Sequence, residues 1–429
     1  MNQIKFEQLN EVLYSATLDN GLEVYVLPKH DFYKTYATFT TKYGSVDNHF
    51  VPIGQSEPIE VPCGIAHFLE HKMFESKGEN VFQRFSKQGA SVNAFTTFTR
   101  TTYLVSTFVN IKENLITLVD FVQDLYLTDY TVEKEKEIIK QEIKMYDEYP
   151  DWLVYIGTLE NMYHNHPVKF GVTGTIESIS KITKELLYEC YKTFYHPSNM
   201  LLFIVGPVNP EEIIDLVINN QAKKAYQKFN GVRRIFPSEP PEVVRKQKTI
   251  RMPIKTPKCM IGFKNNNSKH KGIKLLKHEL SVQILLEFLF GKNSENYDLL
   301  YDEGLINNNF SYRHTEEYGF GFSMIGGDTS KPDRLAQKLF DMTQKIKYNP
   351  PSKEVFDRIR NKIMGSYLRL LNSPEDIAKQ FTRYKFNRIN FFEVIDTLQS
   401  LSIDNLIEVS NQYFNEENFT FCQIVSNKD

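Results

Sequence analysis

Five consecutive residues, His67-Phe68-Leu69-Glu70-His71, carry two imidazoles and a carboxylate within little more than one helical turn. On a helix, positions i, i+3 and i+4 share a face, so His67, Glu70 and His71 point the same way and Phe74 continues the row. Two neutral imidazoles four residues apart can grip one zinc ion while the carboxylate reaches a water on that ion. The order reverses the commoner His-Glu-x-x-His arrangement, but the chemistry asked of each side chain is the same. Taken alone, such a pair is more often a partly exposed polar face of a helix, so the surrounding elements must decide.

Gly21 to Pro28 and Thr35 to Lys42 are β-branched and aromatic runs bounded by turn residues, which predicts strands before the pentad helix. Ser91 to Phe108 reads as a hairpin or an edge-exposed pair. Apolar residues then recur at helical intervals over Lys112 to Leu127 and Val132 to Tyr146, with Thr131 as an N-cap and Glu133 and Glu135 in the positive first turn of the second. A further helix runs from Thr183 to Tyr195, stopped by Pro197, and Met200 to Val205 is a buried strand. The stretch 223–246, rich in Lys, Arg and Pro without periodicity, reads as a linker.

The half beyond that linker repeats the half before it. Leu69-Glu70 falls on Leu286-Glu287, Gly89 on Gly304 and Tyr103 on Tyr318. In this register His67 faces Ile284 and His71 faces Phe288, so the second copy is apolar where the first has candidate ligands. A merely solvated helix face would be polar in both copies, which argues that the histidines are placed. The fold expected is α+β: two similar domains, each a mostly antiparallel sheet packed with helices, arranged as an internal repeat over 1–222 and 247–429. The first carries the metal and the second lacks metal ligands.

The chain has 429 residues, 41% of them hydrophobic, with 51 basic residues against 53 acidic and a formal net charge of −2. Nothing in that balance points to nucleic acid or an anionic membrane as a partner. Cys63, Cys190, Cys259 and Cys422 form no Cys-x-x-Cys pair, which disfavours a disulfide framework and a thiolate metal site and fits a reducing compartment. No basic and apolar leader opens the chain and no run approaches the about 18 apolar residues of a membrane span, so a cytoplasmic protein without membrane insertion is expected.

A zinc site of this kind needs a third protein ligand. Glu135, Ile138, Ile139, Glu142 and Tyr146 form one stripe of their helix, placing two carboxylates on its apolar face while Lys136 and its neighbours decorate other faces. Such carboxylates want a metal, a histidine or a basic partner, unless the helix rolls and both reach solvent or each pairs with a lysine.

The run Gly64-Ile-Ala-His67-Phe-Leu-Glu70-His71, then Ser91-Val-Asn93-Ala94-Phe95-Thr96 with Thr102-Tyr103, then Glu135 and Glu142 seven apart, resembles the inverzincin peptidases of the pitrilysin, insulinase and mitochondrial processing peptidase group, in particular its short bacterial YmfH-type members. Gly171 to Ile179 (GVTGTIESI) and Tyr195-His196-Pro197-Ser198-Asn199-Met200 extend the match. The resemblance implies that His67, His71 and Glu142 bind Zn2+, that Glu70 is the general base activating the zinc-bound water, and that Glu135 orients a ligand from behind. It also implies that Asn93, Ala94, Phe95 and Thr96 form the edge on which a peptide substrate adds as a strand. The function expected is that of a zinc metalloendopeptidase acting on peptides or unfolded segments, with a peptide-binding or scaffold subunit of little turnover as the alternative. Short relatives complete their sites with a second subunit, so a homodimer, or a heterodimer with a metal-free homologue, is expected.

His164, His166 and His196 lack an i, i+4 partner or an adjacent buried carboxylate and read as loop and cap residues. Gly319, Gly321, Gly326 and Gly327 are not followed by Gly-Lys-Ser/Thr and read as turn and packing glycines rather than a phosphate loop. Arg313 and Tyr318 do not match the spacing of the Arg and Tyr that long relatives place over substrate, so the transition-state stabiliser is unassigned.

Overall fold

The computed structural model describes residues 1–427 apart from 79, 227, 228, 230 and 266–269. Glu23–Pro28 and Thr35–Thr41 are strands, as their β-branched and aromatic content predicts. Two compact units are present, and neither is one continuous stretch of chain. The first comprises Met1–Ile143, Gly171–Ile235 and Leu370–Phe386, and the second Lys144–Phe170, Phe236–Arg369 and Asn387–Asp429. The division along the chain at Ile235/Phe236 falls inside the 223–246 stretch, in which 227, 228 and 230 lie outside the described residues. That stretch contains the short strand Arg233–Arg234, paired with His49–Val51. No helix among the described residues is long and apolar enough to cross a membrane.

In the first unit a seven-stranded sheet runs in the order Asn2–Phe6, Glu11–Thr17, Glu23–Pro28, Met200–Gly206, Thr35–Thr41, Thr101–Thr107, Ala90–Thr96. Met200–Gly206 (MLLFIVG) is buried at every position and pairs parallel to Glu23–Pro28 and antiparallel to Thr35–Thr41, which is also wholly buried. A strand covered on both faces needs continuous burial rather than alternation, which accounts for the unbroken apolar run. Two of the four threonines of Thr35–Thr41 are accommodated by hydrogen bonding: Thr40 Oγ1 donates to Thr102 Oγ1 at 3.1 Å and Thr41 Oγ1 to the Phe194 carbonyl at 2.6 Å.

The second unit has a five-stranded sheet in the order Gln247–Met252, Phe419–Ser426, Lys258–Lys264, Phe320–Asp328, Ser311–Glu317. One parallel pair followed by three antiparallel pairs reproduces the last five strands of the first sheet in sense and in chain order. This is the expected internal repeat, with one exchange that local periodicity does not announce. Helix Pro150–Met162 packs on Phe419–Ser426 and Lys258–Lys264, inside the second unit. Helix Pro374–Phe386 packs on Met200–Gly206 and Thr35–Thr41, inside the first.

Some expectations shift in detail. Gly89 and Gly304 both follow a helix with positive φ, as their pairing predicts, but Tyr318 does not match Tyr103. Tyr103 is buried in mid-strand, whereas Tyr318 sits in a two-residue turn that is shorter than the 97–100 loop of the first hairpin. The helix begun at Lys112 ends at Val122, short of Leu127. The next helix starts at Asp129 rather than Val132, so Thr131 lies in its first turn and is not the cap; Thr128 Oγ1 accepts from the Thr131 N–H at 3.1 Å.

Gly64 precedes the pentad helix with φ of +90°, and a Cβ there would lie 2.4 Å from the Thr173 carbonyl oxygen. Gly174, in the GVTGTIESI run, faces it, and Ser178 Oγ donates to the Cys63 carbonyl at 2.7 Å. That run therefore buttresses the start of the helix. Gly64→Ala combines a left-handed backbone with a backbone clash and is expected to lower stability by about 2 kcal/mol or more. A fall in the urea unfolding midpoint at unchanged slope checks this.

Candidate metal centre

Helix Ile65–Met73 is anchored by Ile65, Ala66, Phe68, Leu69 and Met73, all buried in the first unit's core, and its other face presents His67, Glu70 and His71. The second wall is helix Asp129–Asp147, held in that core by Val132, Ile139 and Ile143. Glu135 and Glu142 flank this buried stripe. Ile138, expected within it, is 48% exposed, while Lys136, expected outside, is buried and donates to the Ser180 carbonyl at 3.2 Å and to Glu133 at 2.7 Å.

The two helices bring His67, His71 and Glu142 together. Glu142 Oε1 lies 3.7 Å from His67 Nε2 and Oε2 lies 3.8 Å from His71 Nε2, with one ligand atom from each of the three within 4.8 Å of the others. These gaps exceed hydrogen-bond length, and they suit atoms converging on a common ion at about 2.0–2.2 Å. Behind the trio, His71 Nδ1 lies 2.9 Å from Glu135 Oε1. A second hydrogen bond of that kind fixes the ring and its tautomer, leaving Nε2 as the lone pair aimed at the cluster. The site residues thus fit a zinc ion on their donor set and spacing.

The electrostatics of His67 agree with that fit. Burial, reinforced by the charge of His71, pushes the His67 imidazole down to about 3, so it is neutral at neutral pH, the form that can bind a metal. For His71 burial acts in the lowering direction, but the hydrogen bond and charge of Glu135 outweigh it and raise the pKa. Glu70 is 8% exposed, and burial pushes its carboxyl up against the opposing hydrogen bond from Thr96. Thr96 Oγ1 donates to Glu70 Oε2 at 2.6 Å and so aims the carboxylate.

Ala90–Thr96 is the edge strand of its sheet, paired on one side with Thr101–Thr107. Asn93 is exposed and Ala94, Phe95 and Thr96 are half-buried; the Ala94 N–H donates to Asn93 Oδ1 at 2.8 Å. Thr96 therefore contributes a side chain to the cluster as well as backbone to the edge. Sequence reasoning missed Lys72, which is 3% exposed. Its ammonium pairs with Glu75, donates to the Thr131 carbonyl at 3.2 Å and lies 3.9 Å from Glu135 Oε2, holding the oxygen that His71 does not use. The i, i+3 pairing of Lys72 with Glu75 is the one local signal for it.

His166 and His196 cap short 3-10 turns, Nδ1 accepting from the Val168 and Ser198 N–H groups at 3.2 Å each, and the His164 N–H donates to Glu239. Gly319 occupies the hairpin turn with φ of +105°, and a Cβ on Gly326 would meet the Cys259 carbonyl, so turn and packing roles hold for them. Positions Ile284 and Phe288 are apolar, the first fully buried.

Glu135→Gln keeps the shape but weakens the hold on His71, and is expected to lower zinc affinity about 10- to 100-fold. Competition against a chromophoric chelator measures it.

Residues 51–176 match the family model described as "Insulinase (Peptidase family M16)", and residues 181–363 match that described as "Peptidase M16 inactive domain". "Uncharacterized zinc protease YmfH" of Bacillus subtilis (strain 168) is 54% identical over 422 residues, 98% of each chain. "Probable mitochondrial-processing peptidase subunit beta" of Schizosaccharomyces pombe is 28% identical over 207 residues, 47% of this chain and 43% of that one. A crystal structure of an M16-like peptidase from Alicyclobacillus acidocaldarius superposes with a TM-score of 0.94 at 38% identity, covering 97% of this chain and 99% of that one.

Proposed function

We propose that this chain, which belongs to the M16 (insulinase) family of peptidases, is a zinc-dependent endopeptidase acting on peptides or unfolded polypeptide segments. The observation that carries the reading is the convergence of His67, His71 and Glu142, with Glu135 behind His71 and a buried Glu70 on the same helix face. A zinc ion held there would supply Lewis-acid polarisation of a scissile carbonyl and would lower the pKa of water toward about 7. Glu70 takes the proton of the attacking water and returns it to the leaving amine, and its burial suits a carboxyl that must cycle between charged and neutral forms. Thr96 keeps that carboxylate in one orientation. Glu135 and Lys72 hold the His71 ring.

Substrate binds along the free edge of Ala90–Thr96 as an added strand, main-chain hydrogen bonds giving affinity. The bond from the Ala94 N–H to Asn93 Oδ1 is one that a substrate carbonyl can replace. Strand addition requires an extended segment, which selects flexible or unfolded chains. We assign a second subunit, identical or a metal-free homologue, to completing the site; a relative named as a subunit of mitochondrial-processing peptidase supports this. A cytoplasmic location accords with four cysteines that form no disulfide. The test is cleavage of quenched fluorescent peptides: turnover lost to a chelator and restored by zinc is expected, and turnover indifferent to chelation overturns the proposal.

A further inference from the structure

The second unit contains its own convergence of ligand-type side chains, away from Ile284 and Phe288. His278 lies on helix Ile273–Phe290, in the turns before Ile284. His314 and Glu316 lie on edge strand Ser311–Glu317, two residues apart and therefore on one face. Both belong to the strand that repeats Ala90–Thr96 of the first unit. One ligand atom from each of the three lies within 4.8 Å of the others. The Glu316 and His314 side chains are fully buried, and that of His278 is 5% exposed.

We infer that His278, His314 and Glu316 form a second zinc site, structural rather than catalytic, in the unit that repeats the catalytic fold. His278 Nδ1 lies 3.0 Å and His314 Nε2 lies 2.8 Å from Glu316 Oε2, so both imidazoles aim a nitrogen at one carboxylate. The outer contacts are those of ligands held from behind. His314 Nδ1 lies 3.0 Å from Ser323 Oγ, and Tyr413 donates its hydroxyl to that same Ser323 at 2.7 Å. A hydroxyl accepts as readily as it donates, so His314 can carry its proton on Nδ1 and present Nε2 as a lone pair, the part Glu135 plays for His71. Asn265 Nδ2 donates to both Glu316 oxygens, at 2.6 and 2.7 Å, which fixes the plane of the carboxylate. Nε2 of His278 has no hydrogen-bond partner among the described residues, so this ring makes its polar tie through the nitrogen facing the cluster.

Two imidazoles and a carboxylate are a zinc donor set, Glu316 offering Oε2, the oxygen both imidazoles face, while Asn265 spans the two carboxylate oxygens. Full burial leaves no position for a substrate, which is why the site is assigned to holding the helix and the hairpin strand together. Zinc there ties Ile273–Phe290 to Ser311–Glu317 through bonds that a hydrogen-bonded trio alone does not provide.

The experiment is zinc stoichiometry on the full chain, by elemental analysis after equilibrium dialysis against limiting free Zn2+. Two equivalents are expected in the wild type, and one in His67→Ala, which leaves the second cluster untouched. The Co2+-loaded His67→Ala protein should show visible d–d absorption. His314→Gln and Glu316→Gln should each lose the second equivalent while retaining the first, giving one. One equivalent in the wild type and none in His67→Ala overturns the inference, as does a second equivalent that survives both cluster substitutions. Failure of the first centre instead would leave His67→Ala with the wild-type count, so the two are distinguished.

Discussion

Glu70→Gln is expected to fold normally, to bind zinc at the wild-type stoichiometry, and to cleave peptides about 10²- to 10⁴-fold more slowly, the range that a positioned general base contributes. The amide matches the carboxylate in shape, and its oxygen can still accept the Thr96 hydroxyl that now approaches Oε2 at 2.6 Å. Packing is untouched, because Phe68 and Leu69 on the opposite face of the helix hold it in the core. What is lost is proton affinity: an amide cannot take the proton of the attacking water or pass it to the leaving amine. Circular dichroism, zinc content and peptide turnover on one sample separate these effects, and full activity in this variant would remove Glu70 from the mechanism.

His67→Ala acts earlier, on the metal itself. The substitution deletes one of three converging ligands and leaves Glu142, 3.7 Å from His67 Nε2, facing the remaining imidazole. Loss of a ligand should exceed the about 10- to 100-fold effect expected when only an outer contact such as Glu135 is changed. Zinc at this centre and turnover should therefore both vanish at free zinc concentrations that saturate the wild type. Supplying excess zinc should rescue Glu135→Gln and leave His67→Ala without turnover, a contrast that a general loss of folding would not produce. Far-ultraviolet circular dichroism of His67→Ala should match the wild type, since Ile65, Ala66, Phe68, Leu69 and Met73 hold the helix in the core.

Much of this centre is readable along the chain because helical spacing is local. His67, Glu70 and His71 fall on one face by i, i+3, i+4, and Glu135 and Glu142 share a face by their seven-residue interval. What stays hidden depends on partners from other elements. Thr96 reaches Glu70 only because the hairpin ends above the pentad helix, and Lys72 is buried because Glu75, Thr131 and Glu135 surround its ammonium. Ile138 is exposed and Lys136 buried because the helix is rotated relative to the stripe that hydrophobicity alone selects.

The same reasoning accounts for the larger surprise. The apolar faces of Pro150–Met162 and Pro374–Phe386 show that each helix packs on a sheet, but not which sheet, so their exchange between the two units leaves no local mark. The repeat itself is visible as recurring Leu-Glu and Gly positions, yet a shorter hairpin turn displaces Tyr318 from the place of Tyr103. His278, His314 and Glu316 fall in no motif and meet only through the pairing of helix and strand.

The most direct test is an anomalous difference map collected at the zinc absorption edge from crystals of protein isolated with its metal. The account predicts a peak bounded by His67 Nε2, His71 Nε2 and the Glu142 carboxylate, with Glu135 still bonded to His71 Nδ1. A peptide-cleaving protein whose crystals show no peak at that position would contradict it.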